Sequence, residues 1–214
     1  MNIKTRYAYS WIIVILIPYG LTAHGARSGG LATRQVGALH IEQFGAYNAL
    51  AEISRKAGLP VGVDAVQPIS EPTVVFDFPG GSAADLLNTF VSQVPDYSWH
   101  EKQGIIHLER NNGHVSLLDV VISYPTLRTT REAVWLDIGK RPEVSSWLSA
   151  NHCSRNELRN GREFRDHNES ILVEGGEITF GQLLDQVAIK SGANYWAVLQ
   201  SPANKPCRVD VLMW

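Results

Sequence analysis

The spacing of apolar residues predicts a strand-helix-strand unit that occurs twice in the chain. Residues 74–99 align with residues 171–196 without a gap, at an offset of 97 positions. Each stretch begins with a short apolar run, which predicts a strand, and continues into a turn that contains two glycines. Leucines at helical spacing follow, so one face of each helix is expected to pack on a sheet. A hydroxyl residue stands three positions before an acid or an amide, the spacing of a capping box, in the pairs Ser82 with Asp85 and Thr179 with Gln182.

The pattern around the first copy predicts a complete small module. Residues 39–44 have the pattern of a strand, and a helix follows Gly45, with Gly58 placed to cap its C-terminus. Residues 59–64 alternate as a strand. Residues 97–108 form a hairpin whose turn is Gln103-Gly104. The predicted order of this unit is strand-helix-strand-strand-helix-strand-strand.

The second copy has a more divergent setting. Residues 134–138 are predicted as a strand, and Pro142 is well placed at the first position of a helix. The polar stretch 154–170 is a doubtful strand, whereas residues 207–213 alternate as the final one. We therefore predict an α+β fold with a tandem pair of small two-layer βαββαββ modules. They span residues 37–110 and 131–214 and are joined by a connection, 111–130, in which residues 115–124 can add a strand to either module.

The N-terminus has the pattern of a cleaved secretory signal. Lys4 and Arg6 precede an apolar run, and Ala23 and Gly25 are the small residues that a signal peptidase recognises. The alternative is a membrane anchor, but the run is shorter than the roughly twenty residues that span a bilayer. We predict a signal peptide over residues 1–25, a flexible leader over 26–36, a periplasmic location and no stable membrane span in the mature chain.

Composition and charge narrow the classes of partner. The chain has 44% hydrophobic and 19% charged residues, which is typical of a globular protein. Its 19 basic and 21 acidic residues give a net charge of -2. Proteins that bind nucleic acid usually carry an excess of basic residues, which this chain does not have. We therefore expect no nucleic-acid partner.

The two cysteines, Cys153 and Cys207, both lie in the part that would be exported. An oxidising compartment favours a disulfide, and the alternative is two buried thiols. We predict that they pair, which would remove about 4 kcal/mol of entropy from the unfolded chain.

Motifs of known enzymes are absent from the sequence. It has no nucleophile elbow, no phosphate-binding loop and no zinc-protease helix. Cys153 with His152 would be a nucleophile and base, but adjacent residues seldom converge and export favours the disulfide. Arg155, Arg159, Arg162 and Arg165 are interleaved with acids, so a solvated charged loop is favoured over an anion site. We predict no enzyme, no catalytic residue and no cofactor.

His100 and His107 are the one histidine pair with a geometric argument. If Gln103-Gly104 is a two-residue turn, the two histidines face each other on the outer side of the hairpin, near enough to share a metal ion. The alternative is two exposed strand histidines. Because the sequence indicates no third ligand, we predict no metal site.

Residues 38–110 resemble the short N-terminal domain shared by outer-membrane secretins and TonB-dependent transducers. The phrase "AYNALAEISRKAGLPVGVD" is similar to that family's first helix and following strand. "VVFDFPGGSAADLLNTFVSQVPDYSWHEKQGIIHLER" is similar to its second half, with the glycines, the helix-starting Ser82, the paired leucines and the closing hairpin. A weaker second copy follows residue 131.

The resemblance implies a periplasmic protein-interaction role. In the family, this domain precedes a larger outer-membrane machine and makes contacts that assemble it or relay a signal. No plug, barrel or channel sequence follows before Trp214, so we expect an adaptor or accessory subunit. Its partner would be an envelope protein: a secretin, a TonB-dependent receptor or a related signalling protein. The alternative is an exported enzyme or small-ligand-binding protein with a site near the 154–170 loop.

Overall fold

The protein has an α+β fold in which strands from both halves of the chain form one central sheet. The computed structural model describes residues 30–67, 71–111, 116–155, 169–201 and 205–213. The elements of the first half are β1 (Gln35–Val36), β2 (Leu39–Phe44), α1 (Gly45–Ala57), β3 (Val61–Val66), β4 (Thr73–Phe78), β5 (Gly81–Ser82), α2 (Ala83–Gln93), β6 (Tyr97–Lys102) and β7 (Ile105–Arg110). Those of the second half are β8 (Val121–Tyr124), β9 (Leu127–Thr130), α3 (Arg131–Ile138), α4 (Pro142–Ala150), β10 (Ser154–Arg155), β11 (Ser170–Val173), β12 (Gly176–Thr179), α5 (Phe180–Ser191), β13 (Tyr195–Gln200) and β14 (Arg208–Met213).

Local signals fix the ends of the helices as the sequence predicts. Both predicted capping boxes are present, at the start of α2 and at the start of α5. In each, the hydroxyl side chain accepts the N–H of the third helical residue, whose own side chain accepts from the cap residue. Helix α1 ends at Gly58, where φ is +63°, a left-handed conformation that glycine adopts without strain.

The strands of the second half pair in the same way as those of the first. In the first half β1 pairs with β5 and β2 pairs with β4, both antiparallel. The second half repeats this arrangement with β8 on β12 and β9 on β11. Within the central sheet, β3-β7-β6 are neighbours in the first half and β10-β14-β13 in the second.

The two halves meet where β13 pairs with β3 in parallel. The register runs from Tyr195 opposite Val61 to Gln200 opposite Val66, so the sheet has the order β10-β14-β13-β3-β7-β6. This shared sheet differs from the two separate modules that the sequence predicts. All six residues of β13 are buried, as expected for a parallel strand that is covered on both faces.

The two hydrophobic cores lie on opposite faces of the sheet. Tyr195, Ala197 and Leu199 of β13 belong to the core that α1 and α2 cover. Trp196 and Val198, which alternate with them, belong to the core that α3, α4 and α5 cover. Each half therefore supplies one layer of helices, and β13 contributes to both cores.

The structure corrects the prediction of a strand at residues 134–138. These residues lie in helix α3, where Thr130 accepts the N–H of Ala133 and caps the N-terminus. Val134, Trp135 and Ile138 are buried, and their spacing places them on one helical face. A short apolar run fits either pattern, and here the cap favours the helix.

Several other expectations fall in segments where the structure differs or gives no description. The predicted connection contains two strands, β8 and β9, and β8 pairs with the second half. Residues 30–36, predicted as flexible leader, form a 3-10 turn and β1, and the N–H groups of Leu31 and Ala32 donate to Glu101. The predicted signal peptide and most of the charged loop, residues 156–168, lie outside the described residues. Within the described ranges, no helix has the length and apolarity to span a bilayer.

Candidate functional site

The contact between the halves depends on a glycine beneath a tryptophan. Gly62 of β3 lies directly opposite Trp196 of β13. A Cβ atom at Gly62 would lie 2.1 Å from Cζ2 of the Trp196 ring, so a larger residue there would displace the ring. The indole Nε1 donates to Asp185 Oδ1 at 2.9 Å, which fixes the ring in this position.

Asp185 extends the contact to His107, on the other side of Gly62. Asp185 lies on α5 and is buried, and its Oδ2 is 3.3 Å from His107 Nε2. Although the two atoms are close, no hydrogen bond of acceptable geometry reaches this buried nitrogen among the described residues. The His107 ring also contacts the Trp196 ring edge to face, with 5.7 Å between centroids.

His100 and Glu109 complete a polar cluster on the same face of the sheet. His100 lies opposite His107, and their rings stack with 5.1 Å between centroids and 9° between planes. His100 Nε2 is 4.0 Å from Glu109 Oε1. His100, His107 and Glu109 each offer one possible metal-ligand atom, and these three atoms lie within 4.8 Å of one another. We call His100, His107, Glu109 and Asp185 the histidine cluster.

The predicted hairpin positions the histidine cluster. Lys102 pairs with Ile105 around Gln103 and Gly104, both of which have positive φ, 53° and 77°. This is the two-residue turn that the sequence predicts, and it aligns the two histidines. The prediction that both lie on the outer side is wrong for His107, because Asp185 and Trp196 of the second half cover it.

The outer edge of the sheet is formed by β6, which no other described strand pairs on that side. Glu101 lies opposite Ile106, and the N–H of Ile106 donates to the carbonyl of Pro60. In an antiparallel ladder, the residues of such a pair direct their backbone groups away from each other. The N–H of Glu101 therefore points toward the open edge, and that of Trp99 does the same two residues earlier.

Comparison with known protein families, with curated protein sequences and with solved structures finds no match for this chain.

The predicted disulfide joins Cys153 to Cys207. It lies where the short strand β10 pairs in parallel with β14, and Ser154 N donates to the carbonyl of Cys207 at 2.9 Å. The bond ties the base of the 154–170 segment to the sheet. A disulfide has no free thiol, so Cys153 in this state cannot serve as a nucleophile with His152.

A cleft of about 380 Å³ lies beside the start of α1, between β4 and the end of α2. Two of its polar side chains are paired with each other: Tyr97 donates to Glu71 at 2.6 Å, and the other oxygen of Glu71 accepts the N–H of Ala46. Burial, with the hydrogen bond to Glu71, raises the pKa of Tyr97. The hydroxyl thus stays protonated as a donor, and these groups serve to hold α1 in place.

The two acids of the histidine cluster, Glu109 and Asp185, are not among the site residues predicted from the sequence. Glu109 follows His107 by two positions in a strand and so shares its face, a signal available from the sequence. Asp185 is an acid among the leucines of the predicted apolar face of α5, which signals a buried polar contact without identifying its partner. Of the four arginines weighed as an anion site, Arg159, Arg162 and Arg165 lie outside the described residues.

Proposed function

We propose that this chain is an exported, non-enzymatic adaptor that binds an envelope protein by strand addition. It consists of two tandem βαββαββ modules similar to the short N-terminal domains of secretins and TonB-dependent transducers. The partner is a secretin, a TonB-dependent receptor or a related signalling protein of the periplasm. The element order of residues 39–110 supports the proposal, since it is the order that the resemblance implies.

The pairing of β13 with β3 is the observation that carries the proposal. One half of the molecule recognises the other by adding a strand to its sheet over six paired residues. Main-chain hydrogen bonds supply the affinity in such contacts, and side chains supply the specificity. Among the described residues, no strand covers the outer edge of β6, and an exposed edge is a template for another chain.

A pair of substitutions at Glu101 tests the use of this edge. The Glu101 carboxylate accepts from the N–H groups of Leu31 and Ala32, and both Glu101→Ala and Glu101→Pro remove those bonds. Only the proline also removes the N–H that points to the open edge. We therefore expect cross-linking in the periplasm, followed by mass spectrometry, to capture a secretin or TonB-dependent receptor with the wild type and the alanine variant, and with Glu101→Pro to lose it.

Capture of no envelope protein by the wild type would contradict the adaptor function. If the proline variant captures the partner equally well, the partner is real but does not bind through the edge of β6. Circular dichroism and a melting curve confirm that each variant is folded before the comparison is made.

The competing function is an exported enzyme or ligand-binding protein with a site near residues 154–170. It requires a small molecule that raises the melting temperature of the purified protein. Mass spectrometry without reductant supplies a second test, because an alkylatable Cys153 in the exported protein would favour the enzyme.

A further inference from the structure

Three residues of the histidine cluster have the composition of a metal site. We propose that His100, His107 and Glu109 bind a divalent transition-metal ion such as Zn²⁺, and that Asp185 is a positioning residue for His107. His100 belongs to β6, but the site uses its side chain on the face of the sheet and not the backbone groups of the β6 edge, so it does not depend on the proposed function. The sequence indicates no third ligand beside the two histidines, and in the structure Glu109 supplies one.

All three side chains lie on two adjacent strands, β6 and β7, so the sheet itself brings them together. His100 and His107 are directly opposite on adjacent strands, and Glu109 follows on the same face. In a tetrahedral zinc site, bond lengths near 2.0–2.2 Å place ligand atoms roughly 3.3–3.5 Å apart. In the structure the ligand atoms lie within 4.8 Å of one another. The largest separation allowed by this limit is about 1.5 Å longer than the separation in a metal-bound site.

The two exposed ligands are able to close this gap. The side chains of His100 and Glu109 are 47% and 48% exposed, so packing does not lock either rotamer. The His100 ring has to turn out of its stack on His107, because two parallel rings cannot both direct a nitrogen at one ion.

The second half of the chain positions His107. Its side chain is only 7% exposed, and its Nε2 lies 3.3 Å from Oδ2 of Asp185. A histidine that binds a metal ion commonly directs its other ring nitrogen at a carboxylate. With Nε2 facing Asp185, Nδ1 of His107 is the nitrogen that binds the ion.

The ligand types select the class of metal. Two imidazoles and one carboxylate suit zinc, cobalt, nickel or copper, whereas calcium and magnesium prefer oxygen ligands. Three protein ligands leave a fourth position for water on the exposed side. Because His107 contacts the second half through Asp185 and Trp196, a bound ion would strengthen the contact between the halves.

The test is a metal titration of the oxidised, tag-free full chain. Isothermal titration with Zn²⁺ is expected to give one site per chain, and melting curves are expected to shift upward with Zn²⁺ and return with a chelator. Co²⁺ is expected to produce a visible absorption band typical of tetrahedral nitrogen and oxygen ligands.

Four variants locate the site. His100→Ala and Glu109→Gln, both at half-exposed positions, are each expected to weaken Zn²⁺ binding by at least about tenfold. Asp185→Asn keeps an oxygen for Trp196 and is expected to weaken binding by about 10–100-fold, the usual effect of losing an orienting carboxylate. His40→Ala is the matched control, because His40 is an exposed histidine 2.7 Å from a carboxylate oxygen of Asp77.

Absence of binding by the wild type would overturn the proposal. So would unchanged affinity in His100→Ala and Glu109→Gln, which would place the ion elsewhere on the chain. An equal loss of affinity in His40→Ala would have the same meaning. Melting curves without metal show that each variant is folded, so a lost titration signal is assigned to the ligand and not to unfolding.

Discussion

At the residue scale, Gly62 is the position where one missing side chain permits the contact between the halves. The Trp196 ring occupies the space that a Cβ at Gly62 would need. Its hydrogen bond to Asp185 opposes any displacement of the ring. The glycine has no positive φ, so the requirement is for space and not for backbone conformation. The missing side chain at Gly62 thus leaves room for the Trp196 ring where β13 lies against β3.

We expect Gly62→Ala to lower the free energy of unfolding by about 1–3 kcal/mol, because the added methyl group overpacks the contact between β3 and Trp196 of β13. Urea unfolding measures the loss. Gly37→Ala is the control, since a Cβ at Gly37 would meet nothing within 4 Å. A change at Gly62 as small as the usual surface effect of about 0.5 kcal/mol would show that Trp196 is free to move.

At the element scale, the two capping boxes have the same geometry but different chemistry. In α2 the box uses the carboxylate of Asp85, and in α5 it uses the amide of Gln182. The Ser82 side chain, then the Ser82 backbone, donates to Asp85 and lowers the pKa of its carboxyl group. Only the first cap can therefore depend on pH.

The sign of this dependence follows from the direction of the shift. A carboxyl group with a lower pKa in the folded state contributes stability above its unfolded pKa, and that contribution is lost as the pH falls through the folded pKa. We expect Ser82→Ala to destabilise the protein more at pH 7 than near pH 3. Thr179→Ala, the matched control, is expected to cost about 1 kcal/mol at both. Urea unfolding at the two pH values measures both, and an equal acid response would contradict the role of Asp85.

The elements that local sequence specifies are those whose determinants are close together in the chain. The Gln103-Gly104 turn, the caps of α1, α2 and α5, and the strands beside them each depend on residues a few positions apart. Helix α3 was missed because residues 134–138 are too few to reveal their period. Its cap, Thr130, lies in a segment interpreted as a connection.

At the scale of the whole molecule, the shared sheet makes the halves depend on each other. Strand β13 contributes Tyr195 to one core and Trp196 to the other. The Tyr195 hydroxyl donates to the carbonyl of Tyr47 in α1, at 3.1 Å and 148 positions away in sequence. Neither core is complete without a strand from the second half, so the described fold is one structural unit.

We therefore expect a single unfolding transition. Leu50→Ala in the first core and Leu184→Ala in the second, both fully buried, should each lower the unfolding free energy by about 2–5 kcal/mol. Each should also move the whole transition, with circular dichroism and tryptophan fluorescence remaining coincident. Two separate steps, one moved by each substitution, would show that the halves unfold independently.

Four features follow from the amino-acid sequence alone: the α+β class, the helix caps, the hairpin that aligns His100 with His107, and the pairing of Cys153 with Cys207. Each follows from local spacing or, for the cysteines, from there being two in the chain. Three others are visible only in the folded chain: β13 pairs with β3, Gly62 lies beneath Trp196, and Asp185 covers His107. These contacts join residues more than 70 positions apart. Their side chains meet only once the edges of β13 and β3 have paired. Periodicity tells which face of a strand is buried, but it carries no information about which strand will lie beside it.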